Sequence, residues 1–122
     1  MKREIKFRGK RLDKGKWEYG SLVIINGRYF IINEEWRGEV DPSTVGQYTG
    51  LKDNNGREIY EGDVLRMYDN KRYTFTCIYL QTQSAFLGRC NETRFGLANI
   101  TEGVSKEIIG NIHDNPELLK AE

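Results

Sequence analysis

Two strand-like runs, Trp17–Ile25 and Arg28–Ile32, are separated only by Asn26-Gly27. Asn-Gly tolerates positive φ at both centres of a type I′ turn, whose twist matches that of two antiparallel strands. The chain is therefore committed to a tight β-hairpin within its first third. The first arm begins half-exposed, at Trp17-Glu18-Tyr19, and ends in the wholly apolar run Leu22-Val23-Ile24-Ile25.

Helical periodicity is nearly absent elsewhere, and strand signals recur about every ten residues. Glu4-Ile5-Lys6-Phe7-Arg8 alternates strictly, which turns Ile5 and Phe7 to a core and the charges to water. Gly9–Gly15 reads as a basic loop, and 33–41 as an acidic irregular segment anchored by Trp36. Gln47–Leu51 and Arg57–Tyr60 are strands flanking the turn Asp53-Asn54-Asn55-Gly56. Glu61-Gly62-Asp63 turns the chain into Val64–Tyr68, and Asp69-Asn70-Lys71 turns it again into Arg72–Leu80. A shorter pair is expected at Ala85–Leu87 and Arg94–Leu97, a single helical or 3₁₀ turn over Leu97–Glu102, and a last strand at Ser105–Ile112. Asn115-Pro116-Glu117 has the cap, first-turn proline and first-turn acid of a short C-terminal helix.

The architecture expected from these elements is mainly β and a single domain over residues 1–122. It is either an SH3-like or partly open β-barrel, or two packed antiparallel sheets, with the short helix at the C-terminus. At 122 residues, two independent cores would each be marginal. No apolar run approaches the ~20 residues that span a bilayer. Met1-Lys2-Arg3-Glu4-Ile5-Lys6 lacks the apolar stretch of a signal peptide, so a cytoplasmic protein with no membrane role is expected. Cys77 and Cys90 are then read as buried or idle thiols rather than a disulfide.

Groupings that could carry chemistry have plainer readings. Glu58, Glu61 and Asp63 lie within six residues, but on a strand Glu58 and Glu61 point to opposite faces. Asp63 is better used in closing the turn at Gly62 through nearby backbone N–H groups. The single histidine, His113, has no nucleophile elbow to serve, and two cysteines thirteen apart with one histidine do not complete a zinc site. No catalytic residue, metal ligand or cofactor is assigned, and an enzyme is not expected.

Charge is distributed unevenly. Residues 1–16 carry eight Lys or Arg against Glu4 and Asp13, while the remainder carries eleven against sixteen acids. A basic arm on an acidic body suits an anionic partner or another copy's acidic face, and the plain alternative is a solvated edge strand guarded by lysines. The candidate anionic-partner surface is Lys6, Arg8, Lys10, Arg11, Trp17 and Tyr19, where cations interleave with aromatics as in single-strand nucleic-acid binders. Against it, strand aromatics are more often core, and the pI of about 7.7 is below the value of about 9 typical of committed nucleic-acid binders.

Four segments resemble the YopX-like phage proteins. They are Arg3-Glu4-Ile5-Lys6-Phe7-Arg8-Gly9-Lys10; Trp17-Glu18-Tyr19-Gly20-Ser21-Leu22; Val45-Gly46-Gln47-Tyr48-Thr49-Gly50-Leu51-Lys52-Asp53 through Ile59-Tyr60-Glu61-Gly62-Asp63-Val64; and Ile108–Leu119. The resemblance implies a phage or prophage gene, a predominantly β fold and a place in the host cytoplasm. It implies no catalytic residues. The function expected is a non-enzymatic, self-associating interaction module, a homo-oligomer that binds a host or phage protein. The alternative is a nucleic-acid-binding β-barrel using the basic N-terminal strand.

Overall fold

The computed structural model describes residues 4–67, 70–92, 96–101 and 103–119, with backbone only at 70–72. Its contacts gather into two compact units, residues 1–50 and 51–122.

The first unit contains β1 (Phe7–Lys10), β2 (Trp17–Ile25), β3 (Arg28–Ile32), β4 (Arg37–Val40) and most of β5 (Gly46–Lys52). Their order is β4-β3-β2-β1-β5, antiparallel where the register is resolved. The Asn26-Gly27 hairpin forms as expected, with φ of 51° and 76° at its two centres and Ile25 opposite Arg28. β1 is not the edge strand of the plain charge reading: it lies between β2 and β5, because Arg8 pairs with Tyr19 on one side and Gly46 on the other. Past its end, the chain crosses to β4, with Asp41 N donating to Lys10 O (2.8 Å) and Leu12 N to Glu39 O (3.2 Å). Ile31 and Val40 are fully buried on the inner face.

Residues 33–41 are more ordered than expected, since 37–40 form β4. Gly38 is the reason a side chain as large as Trp36 can fold back over its own strand: a Cβ there would lie 2.4 Å from the indole ring. Asn33 Oδ1 shapes the connecting turn by accepting the amides of Glu35 (2.9 Å) and Trp36 (2.8 Å).

The second unit opens with the expected turn, followed by β6 (Glu58–Tyr60). Then come β7 (Asp63–Met67), β8 (Asn70–Leu80), β9 (Ala85–Cys90), β10 (Leu97–Ala98) and β11 (Lys106–Asn111). They form an antiparallel sheet in the order β10-β9-β8-β7-β11. Its core gathers Ile59, Leu65, Met67, Phe75, Cys77, Cys90, Ile100 and Ile108. Both thiols are buried in it, and neither is in a disulfide.

The protein is thus mainly β, built of two antiparallel sheets, with no closed barrel among the described residues. The C-terminal helix is a correction: Pro116–Leu119 make only a 3₁₀ turn. Asn115 does not cap it as read, because its Oδ1 accepts Asn111 N (3.1 Å). Leu97–Ala98, expected to begin a helical turn, is instead β10. Asp69 of one expected turn, Arg94-Phe95 of one expected strand and Glu102 lie outside the described residues.

Candidate functional site

Register decides which basic and aromatic side chains meet. Arg8 lies opposite Tyr19 and Lys10 opposite Trp17, so these four share one face of the sheet. The Arg8 guanidinium lies 4.6 Å from the Trp17 ring centroid and Lys10 Nζ 5.4 Å from it. Lys6 Nζ sits 5.3 Å above the Tyr48 ring and 3.6 Å from Glu4 Oε2. Arg8 is only 5% exposed, whereas Tyr19 is 45% exposed. The guanidinium of Arg8 is therefore spent inside the fold rather than offered to solvent.

Arg11 turns to the other face. Its Nε donates to Glu18 Oε2 at 2.8 Å, its Nη2 bonds the same oxygen, and its guanidinium stacks 4.5 Å from the Trp36 ring centroid. Asn33 Nδ2 donates to Glu18 Oε1 at 3.1 Å. Burial pushes the Glu18 carboxyl up, but the hydrogen bonds from Arg11 and Asn33 and the charges of Arg11 and Lys16 outweigh it and hold the group below the usual carboxylate range. The structure thus gathers Arg8, Lys10 and Trp17, places Lys6 on Tyr48, and sends Arg11 to a separate half-buried cluster.

Two of the three grouped acids have structural partners. Asp63 Oδ2 accepts the amide of Tyr60 (2.8 Å) across the turn at Gly62, as read from the sequence. Glu58 Oε1 accepts the Tyr60 hydroxyl (3.2 Å). Among the described residues no three His, Cys, Asp or Glu side chains converge for a metal. His113 sits in a turn organised by Asn111, whose Oδ1 accepts the amides of His113 (3.0 Å) and Asp114 (2.9 Å).

A second surface lies on β2, β3 and β4. Val23 pairs with Phe30 and Ser21 with Ile32; Phe30 pairs with Glu39 and Ile32 with Arg37. These side chains share one face, and a groove of about 310 Å³ runs over it, lined by Val23, Ile25, Phe30, Ile32, Arg37 and Gly38. Ile25 is 55% and Ile32 39% exposed. A sheet with one wet face alternates apolar and polar residues; here Leu22–Ile25 of β2 and Tyr29–Ile32 of β3 are apolar on both faces. The sequence carries the signal, since Leu22-Val23-Ile24-Ile25 does not alternate, but an apolar strand end does not by itself say which face is left uncovered.

No curated protein matches this chain. Its fold is similar to the crystal structure of protein EF1440 from Enterococcus faecalis, at a TM-score of 0.63 and 25% identity, covering 98% of this chain and 100% of that one. It is also similar to the X-ray structure of protein yopX from Bacillus subtilis, at a TM-score of 0.52 and 21% identity, over 96% and 97% of the two chains. The model of the YopX protein family matches residues 6–120, almost the whole sequence and all but the first few residues of the segments that suggested the resemblance. The chain belongs to the YopX protein family.

Proposed function

We propose that this protein is a non-enzymatic interaction module of a phage or prophage, one that self-associates and binds a host or phage protein in the bacterial cytoplasm. The observation that carries the reading is the exposed apolar face of β2–β4, where Val23, Ile25, Phe30 and Ile32 occupy positions that water would favour as polar. Such a face gains by being covered, at roughly 25 cal/mol per Å² of apolar area removed from water. Asp63 supports this reading, since its carboxylate serves the turn at Gly62.

The nucleic-acid alternative would have to use Lys6, Arg8, Lys10 and Arg11. Arg8 is buried against Trp17, and Arg11 is held by Glu18. Tagged full-length protein recovered from host lysate, with and without nuclease, separates the two. A discrete protein retained after nuclease, together with concentration-dependent association in sedimentation, is expected. Recovery of DNA or RNA alone, from a protein monomeric at every concentration, sinks the proposal.

A further inference from the structure

We propose that the outer face of β2–β3–β4 docks on the same face of a second copy of this chain. This rests on the self-association reading above and names the surface that performs it. The argument is one of self-complementary charge around an apolar centre. On β3 the face presents Phe30 and Ile32; beside them on β4 it presents Glu39 and Arg37, in that order.

Consider a two-fold axis parallel to the face and across the strands, level with Ile31 and Gly38. It reverses strand direction while keeping β3 over β3 and β4 over β4. Phe30 of one copy then lies over Ile32 of the second copy. Glu39 lies over Arg37, and Arg37 over Glu39, so unlike charges meet twice in a single contact. Arg28 at one end of β3 and exposed Glu34 beyond the other are brought together by the same operation. Rotating about an axis along the strands would instead lay Glu39 over Val23, which desolvates a carboxylate against hydrocarbon.

Glu39 can serve both contacts. Its Oε1 already accepts from Arg28 Nε (3.1 Å) and Nη2 (2.6 Å). A carboxylate offers about four acceptor positions on its two oxygens. The mixed signs at the rim, Arg28 and Arg37 with Glu34 and Glu39, favour a second copy over a polyanion. With β3 and β4 only five and four residues long the face is small, so the contact belongs to the weak, reversible class.

Sedimentation of the full chain over a concentration series tests this, with thermal melts to verify that each variant is folded. Wild type should dimerise reversibly. Phe30→Lys, Arg37→Glu and Glu39→Arg should each weaken the dimer about tenfold or more. An equimolar mixture of the last two should recover association, because each then meets an opposite charge. Should Phe30→Lys fail to fold, the charge pair alone decides. A wild type that stays monomeric up to roughly 1 mM overturns both the contact and the self-association reading. Oligomers insensitive to all three variants overturn only the face. Weakened single variants with no recovery in the mixture overturn the two-fold arrangement.

Discussion

Asp53 Oδ2 accepts the backbone amide of Ile108 at 3.0 Å, across 55 residues of sequence. The other oxygen, Oδ1, accepts Asn55 N and Arg57 N, each at 2.9 Å. Next to it, Asn54 N donates to Lys106 O (2.8 Å), and Asn54 Oδ1 accepts Lys106 N (3.0 Å). A single turn thereby occupies the outward-facing groups of β11 at residues 106 and 108, and closes that stretch of the sheet edge.

Asp53→Ala should cost about 2–4 kcal/mol, because it leaves three amides without their acceptor, two of them within the turn. Urea unfolding monitored by circular dichroism measures it. A loss below about 0.5 kcal/mol would mean that water replaces the carboxylate and that the turn does not hold the strand.

Acid should unfold the protein partly through the same group. Burial pushes the Asp53 carboxyl up, yet the amides of Ile108, Arg57 and Asn55 and the charge of Arg57 outweigh it and leave the group below its ordinary value. A depressed folded pKa means that the stabilisation is complete above the unfolded value, near 4, and is lost as pH falls through the folded one. Glu18 acts with the same sign. Urea midpoints should therefore fall steeply below about pH 4, and less steeply in Asp53→Asn; parallel curves for the two proteins would contradict the assignment.

Gly38→Ala should displace Trp36, whose ring occupies the space the new methyl group needs. We expect a loss of about 1–3 kcal/mol and, in a Trp17→Phe background, a shift in indole emission as Trp36 leaves the Arg11 guanidinium. Unchanged emission would show that the strand, not the ring, gives way.

Cys77 lies opposite Gly88, while Cys90 lies opposite Phe75, so the thiols are diagonal rather than facing. Diagonal positions stand about 7–8 Å apart, beyond the usual reach of a disulfide. Both should react with a thiol reagent only after denaturation, and mobility without reductant should be unchanged. Rapid labelling of the native protein would place them at the surface instead.

Local chemistry was legible and long-range use of the same residues was not. The β2–β3 hairpin matches the sequence reading at both strand limits, because Asn26-Gly27 specifies its own turn. The turn at Asp53 was equally plain, but nothing in its composition says that the carboxylate reaches Ile108. β4 was missed because Arg37-Gly38-Glu39-Val40 has little strand propensity of its own and is held by β3, with the glycine making room for Trp36. The basic–aromatic positions were found as a group, but only register shows that Arg11 faces away from Arg8 and Lys10. The apolar face of β2–β4 went unread because a run such as Leu22–Ile25 looks the same whether its second face is covered by its own chain or by another.

The clamp on β11 also bears on how the protein behaves when crowded. An unguarded strand margin is a template on which further chains can stack into cross-β fibres. At residues 106 and 108 the places such a chain would take are already filled by Asp53 and Asn54. Across the first unit, Lys10 and Leu12 do the same for the end of β4. The protein can then carry the exposed apolar face of β2–β4 while keeping these stretches of its margins closed to amyloid growth.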